Sequence, residues 1–243
     1  MLSRAFRIID AFKPGEHSLS LSELTRRAGL PKSTTHRLVS QLEDWGVLER
    51  RGARIRRGLR LFEWGSAVPR QSILEERASS HVESLSHGTG AVVHVGIVDA
   101  GEVLYVSKVG GSFESRIPTS VGSRMPAHCT GLGKAMLAHS RPDAVDEAIE
   151  LGLAPRTRYS IASTKVLIRE LELVRQRGFA ADNEEAVIGI SCIAAPVLGP
   201  DGFAIGAVSA GCSSLKMNAS QLEPLVRHTS RRIAEDLGFR AHG

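Results

Sequence analysis

Gly29-Leu30-Pro31-Lys32-Ser33-Thr34-Thr35-His36-Arg37-Leu38-Val39-Ser40-Gln41-Leu42-Glu43-Asp44-Trp45-Gly46 opens on a glycine, with a proline two residues on, and closes on a second glycine. Pro31 suits the first turn of a helix, where its missing N–H costs nothing. Leu38, Leu42 and Trp45 follow the i, i+4, i+7 pattern with Val39 alongside. This spacing predicts a helix over 31–45 with one apolar edge turned to a core. Lys32, Ser33, His36, Arg37 and Ser40 fall on the other side. Just upstream, Leu21, Leu24 and Ala28 share one face of a helix predicted over 21–28. Gly29 ends that helix, because glycine takes positive φ freely. Two helices joined by so tight a turn follow the helix-turn-helix plan. The hydroxyls, the histidine and the two cations near the start of the second helix suit base edges and phosphates in a major groove. A solvated polar face is the commoner role of any single such helix.

The next segment favours the first reading. Residues 47–57 run Val-Leu-Glu-Arg-Arg-Gly-Ala-Arg-Ile-Arg-Arg, which predicts two short strands around a Gly52-Ala53 turn. Residues 50–60 hold six arginines and no acid. Crowded cations repel unless they are solvated or face an anion, so the hairpin reads as the wing of a winged helix aimed at phosphates or a minor groove. Upstream, Leu2, Phe6, Ile9 and Phe12, with Ile8, predict an amphipathic helix over 2–13 that Pro14-Gly15 stops. Charge follows the same division. Residues 1–70 carry 14 Lys and Arg against 7 Asp and Glu, whereas residues 71–243 carry 17 against 19. One end is built to meet a polyanion. We therefore expect Lys32, Ser33, Thr34, His36 and Arg37 to read or position double-stranded DNA, and Arg50, Arg51, Arg54 and Arg56 to grip its backbone or minor groove.

Composition narrows the alternatives. Hydrophobic residues make up 42% and charged residues 23%, an ordinary globular mixture. No apolar run approaches the ~20 residues that span a bilayer, and the N-terminus lacks a signal core, so a soluble cytoplasmic protein without a membrane partner is expected. Three cysteines, Cys129, Cys192 and Cys212, with no CxxC pair, argue against a disulfide framework or a structural zinc site. Two alternatives are a cysteine-dependent enzyme and a metal-sensing repressor. The sequence shows no nucleophile elbow, P-loop, HExxH or dinucleotide fingerprint, and its nine histidines are scattered apart from the pair His128-Cys129. No catalytic residue, metal or cofactor is expected. Aromatics are only 5%, with Trp45 and Trp64 at core-type spacing, which disfavours base stacking on RNA.

Residues 61–87 predict helix around Leu61, Phe62, Ile73, Leu74, Val82 and Leu85, restarted at Pro69, and read as a connector. Strands are expected at 92–98 and 103–106 around the turn Asp99-Ala100-Gly101-Glu102, then near 179–181, 187–198 and 203–210. Helices are expected at 131–139, 142–150 and 163–177, the last with Leu167, Leu171 and Val174 inward. A final helix at 220–237 carries Leu222, Leu225, Val226, Ile233 and Leu237. Strands flanked by groups of helices predict a mixed α+β domain. The expected organisation is a winged helix-turn-helix over 1–60, a helical connector over 61–87 and a sensor domain over 88–243.

The run Leu19-Ser20-Leu21-Ser22-Glu23-Leu24, followed by Gly29 to Leu38, resembles the DNA-binding domain of the IclR family, the isocitrate lyase regulator type of bacterial transcription factor. Three later stretches resemble its C-terminal domain: His128-Cys129-Thr130-Gly131-Leu132-Gly133-Lys134-Ala135-Met136-Leu137-Ala138, Gly178-Phe179-Ala180-Ala181-Asp182-Asn183-Glu184-Glu185, and Gly189-Ile190-Ser191-Cys192-Ile193-Ala194-Ala195-Pro196-Val197. The resemblance implies a GAF-like sensor domain with a central antiparallel sheet. It implies a regulator whose operator binding responds to a small organic acid, and we expect such a regulator to act as a homodimer or dimer of dimers. It maps the effector contacts onto Gly131, Leu132, Asp182, Cys192, Ser209 and Gly211, with Met125 and Ile190 as apolar walls. Gly211 offers no side-chain contact. Arg57 stands where the family's wing carries an apolar residue. Free N–H groups at the start of the helix from Gly131 suit a carboxylate. Plainer readings stand beside these: Cys192 as core packing, Asp182 as the cap of the turn before Asn183-Glu184-Glu185, and Lys134 as a surface residue.

Overall fold

The computed structural model describes residues 2–13, 15–110 and 113–239, with backbone only for 69–72. The chain divides into two units, Met1–Ser72 and Ile73–Gly243. The first unit begins with α1 (Leu2–Ile9), β1 (Leu19–Ser20), α2 (Leu21–Ala28) and α3 (Lys32–Asp44). A hairpin follows, β2 (Leu48–Arg51) and β3 (Arg54–Arg57), and then α4 (Leu59–Ser66). Ser20 caps α2: its hydroxyl accepts from Glu23 N, and its own N–H donates to the Glu23 carboxylate at 2.7 Å. This reciprocal box satisfies two donors that a helix start otherwise leaves free. Gly29 then takes φ +60° and closes α2. The strands form an antiparallel sheet in the order β1-β3-β2, with Leu19 opposite Ile55. Ile8, Phe12, Leu24, Leu38, Val39, Leu48 and Ile55 make the core under it.

Three expectations fail here. α1 ends at Ile9 and buries Ile8, the turn after it buries Ala11 and Phe12, and Leu2 and Phe6 lie exposed. Pro14 lies outside the described residues. Trp45 is 68% exposed, because α3 ends at Asp44 and the chain reverses at Gly46, φ +69°. Val47 and Leu48 take the core places instead. Trp64 is half exposed, with the Arg60 guanidinium 5.8 Å from its ring centroid. Arg57 fills its unusual position by donating to the carbonyls of Phe12 and Lys13 at 3.0 and 3.1 Å and lying over the Phe12 ring.

The second unit contains most of α5 (Pro69–Thr89), then β4 (Val92–Asp99), β5 (Glu102–Val109), β6 (Arg124–Pro126), α6 (Gly131–Leu137), α7 (Pro142–Glu150) and α8 (Thr164–Arg177). It ends with β7 (Ala180–Asn183), β8 (Ile190–Leu198), β9 (Ala204–Ser213) and α9 (Ala219–Asp236). These strands form an antiparallel sheet in the order β6-β5-β4-β9-β8-β7. Ala100 and Gly101, φ +51° and +75°, make the two-residue turn between β4 and β5, as the twist of a hairpin favours. Strand alternation sorts the two faces. Val93, Val95, Ile193 and Val208 pack against α5 and α9 through Leu74, Val82, Val226 and Ile233. Val103, Ala194 and Ala207 pack against α6 and α8 through Leu132, Leu137, Leu167, Leu171 and Val174. The expected connector is thus shared: α4 lies in the first unit, whereas α5 from Leu74 onward buries itself on the sensor sheet. Phe62, Ile73 and Leu225 lie exposed rather than inward.

Candidate DNA interface and effector cavity

On α3, Lys32, Ser33, His36 and Arg37 are exposed and Thr34 is half-buried. Thr35, one residue further, is buried, and its hydroxyl donates back to Pro31 O. The side chains of Lys32, His36 and Arg37 have no hydrogen bond or ion pair among the described residues. A helix face with two uncommitted cations and short polar groups at its first turns matches what a major groove accepts.

The four wing arginines differ from one another. Arg50 pairs with Glu43 at 3.0 Å, and Arg56 pairs with Glu49, its direct cross-strand neighbour, at 2.6 Å. Arg54 donates to the Ser18 hydroxyl and carbonyl at 2.8 and 2.7 Å. Arg51 faces Arg54 across the hairpin, and its guanidinium has no hydrogen bond or ion pair among the described residues. Like charges set opposite each other in a hairpin are destabilising until an anion comes between them. Releasing an exposed pair such as Arg56–Glu49 costs only ~0–1 kcal/mol.

In the second unit the register explains which residues meet. Asp182 pairs with Cys192, and Cys192 with Gly211, in one row across β7, β8 and β9. Two residues along, Ala194, Ser209 and His94 form a parallel row. With period-two alternation both rows present side chains on one face. A cavity opens over that face, and Met125, Gly131, Leu132, Asp182, Ile190, Cys192, Ser209 and Gly211 all line it. The cavity volume is about 50 Å³, a small pocket that opens at its mouth to solvent.

The sequence reading missed His94, Tyr105, Ile117, Thr119, Thr130 and Val187, which also line the cavity. His94 and Tyr105 were findable as the lone polar ring in one apolar strand and the lone aromatic in its neighbour. They meet edge to face with centroids 5.1 Å apart, and His94 Nε2 is 2.8 Å from the Thr119 hydroxyl. Burial, helped by Lys108, pushes His94 down to about 3, so its ring is neutral. Burial also drives the Tyr105 hydroxyl well above its ordinary range.

Asp182 does two things at once. Its Oδ1 accepts from Glu185 N at 2.7 Å and Ala186 N at 3.4 Å, the capping role, while Oδ2 has no partner among the described residues. Burial first, and the neighbouring Glu185 second, raise it to about 7. Behind it lies a group the sequence reading set at the surface. Lys134 is 1% exposed and pairs with Glu185 at 2.5 Å, with Glu170 at 3.9 Å. All seven residues of α6 are buried, so its only cation has no path to water. At the start of α6, Thr130 accepts from Gly133 N, which leaves fewer free N–H groups there than expected. The short approach at Gly131 is filled by the Cys192 sulfur, to which its N–H is directed.

The cysteines are held as thiols: burial pushes Cys129 up to about 12 and raises Cys192, with Asp182 adding to both shifts. Among the described residues no three His, Cys, Asp or Glu side chains gather where one metal ion could sit. No helix among them is long and apolar enough to cross a membrane.

Two domain profiles match this chain: IclR helix-turn-helix domain over residues 1–52, and bacterial transcriptional regulator IclR C-terminal over residues 66–237. The HTH-type transcriptional regulator KdgR of Escherichia coli K12 is 29% identical over 242 residues, covering 97% of this chain and 92% of the relative. BhcR of Paracoccus denitrificans, also an HTH-type transcriptional regulator, is 33% identical over 227 residues, covering 92% and 81%. Among solved structures, an IclR homolog from Microbacterium hydrocarbonoxydans complexed with 4-hydroxybenzoate superposes with TM-score 0.88 at 25% identity, covering 98% of both chains. The Thermotoga maritima IclR superposes with TM-score 0.78 at 30% identity, again covering 98% of both.

Proposed function

This chain belongs to the IclR family of bacterial transcriptional regulators, and on that premise we propose that it works as a homodimer, or a dimer of dimers, whose grip on a roughly palindromic operator is set by a small organic acid in the Asp182 cavity. It is a regulator with a DNA-binding helix-turn-helix and an effector-binding C-terminal domain. The observation that carries the effector reading is the convergence of the eight sequence-chosen residues on one cavity whose walls are mostly apolar. The bound 4-hydroxybenzoate of the Microbacterium homolog supports an acid with an apolar body. Effector binding then favours one arrangement of two DNA-binding heads over another, a coupling of ~1–3 kcal/mol in systems of this type. Two-fold symmetry calls for half-sites about one helical turn apart, or a multiple of it.

Selection of genomic fragments by the purified protein tests this directly. It should recover a palindromic site whose occupancy changes with one class of acid. Fragments without common sequence, or retention unaffected by any acid, would remove the reading.

Arg37→Ala is expected to weaken operator binding by ~1–3 kcal/mol and to relax sequence preference. Anisotropy titrations of operator and scrambled duplex check it, and equal affinity for both proteins would take Arg37 out of the reading face.

The wing gives a second expectation. Arg51→Ala should lower the slope of log Kobs against log salt by about 0.9, the loss of one phosphate contact. Arg56→Ala should lower it less, because Glu49 already partners that guanidinium. Equal losses would mean that the ion pair opens fully on DNA.

A further inference from the structure

We propose that the cavity accepts a ligand bearing at most one negative charge, and that a carboxylate enters it only together with a proton held on Asp182. This rests on the effector reading given above and narrows its ligand class.

None of the described residues lining the cavity is Lys or Arg. Its available donors are neutral. The hydroxyls of Tyr105 and Ser209 have no partner among the described residues, and both side chains are buried in the wall. The one acid in the wall is Asp182, 5% exposed, with Oδ1 fixed by two backbone N–H groups and Oδ2 left over. The charged and titratable groups around it come from each element packed against it. They are Glu185 after β7, Lys134 on α6, Cys192 on β8, Cys129 and Tyr105 from the turn before α6 and from β5, and Arg156 nearby. Lys134 is already matched by Glu185 and Glu170, so it offers no counter-charge to a ligand.

A carboxylate placed beside an ionised Asp182 would therefore be a second anion in a largely buried wall that contains no cation of its own. With one proton from solvent, Asp182 becomes a neutral O–H donor and joins Tyr105 and Ser209 in a fully neutral donor set. The position of Asp182 near neutrality makes that proton available at little cost. A neutral alcohol needs no proton, since its own hydroxyl can donate to Oδ2. A dicarboxylate finds no second donor of this kind.

Calorimetric titration of the full chain distinguishes these. The probes are 4-hydroxybenzoate, neutral 4-hydroxybenzyl alcohol and the dianion isophthalate, run in phosphate and in Tris near pH 6 and near pH 8. For 4-hydroxybenzoate we expect uptake of about one proton near pH 8 and almost none near pH 6, with roughly tenfold weaker affinity at the higher pH, as a group titrating near 7 requires. The alcohol should bind alike at both, and isophthalate should bind least. Asp182→Asn keeps an acceptor for the two backbone N–H groups and a neutral donor toward the ligand. It should bind 4-hydroxybenzoate with no proton uptake and no pH dependence. Affinity for 4-hydroxybenzoate that ignores pH in the wild type, isophthalate binding at parity, or no binding by any probe overturns the proposal. A chain that selects no operator strikes the regulator reading instead, so the two failures are told apart.

Discussion

Lys134→Met is expected to destabilise the sensor unit by about 3–5 kcal/mol near pH 8, the cost of leaving a buried partner charge unmatched. Glu185 is the partner left behind. It is itself buried, and burial already raises its pKa despite the opposing pull of Lys134. One of its oxygens, Oε2, has no hydrogen-bond partner among the described residues, and Glu170 adds a second negative charge nearby. Without the ammonium, the way out is for Glu185 to take a proton. A carboxyl whose folded-state pKa is raised contributes stability at low pH and loses it as pH climbs through that value. The deficit of the variant should therefore be small near pH 5 and grow toward pH 8. Adding Glu185→Gln should recover most of it, since an ion pair removed whole costs far less than one removed by half. Scanning calorimetry or hydrogen exchange on the amides of β8 and β9 is the appropriate probe. Both tryptophans, Trp45 and Trp64, lie in the first unit and would not report the change. Wild-type stability near pH 8, or a deficit that shrinks as pH rises, would contradict a structural role for this pair.

Gly133→Ala and Gly131→Ala should behave oppositely although they sit two residues apart on α6. A methyl at Gly133 would overlap the backbone of Ala127, with its carbonyl carbon 2.6 Å away and its oxygen closer still. Backbone pinned under a helix cannot yield, so the cost should be about 3 kcal/mol or more, at or beyond the upper end of overpacking. A methyl at Gly131 would meet the Cys192 sulfur at 2.7 Å and the Asp182 Cβ at 3.7 Å. That variant should fold and lose cavity space, with effector response impaired and operator binding retained. Thermal unfolding separates them. If Gly131→Ala unfolds as readily as Gly133→Ala, the cavity face of α6 is structural rather than a ligand wall.

The sequence carried the local plan because that plan is written in short-range terms. Helix periodicity, the Ser20–Glu23 cap, Gly29 and Pro31 announced α2 and α3 at nearly their observed bounds. The Gly52-Ala53 turn and the Ala100-Gly101 turn announced both hairpins. Six of the cavity residues were named through motif resemblance and Met125 and Ile190 as apolar walls, and the meeting of Asp182, Cys192 and Gly211 follows from strand register that spacing alone does not state.

Chain order and side-chain pattern determined a helix-turn-helix with a basic hairpin, followed by a mixed sensor domain, because caps, turns and amphipathic spacing act over a few residues. Tertiary structure alone decided that Lys134 lies sealed inside, that Trp45 and Phe6 face solvent, that Glu43 and Glu49 occupy two of the wing arginines, and that His94 and Tyr105 face the cavity. Each of these depends on which distant segment supplies the opposing charge or covers the surface. Long-range packing makes that choice, and local periodicity has no access to it.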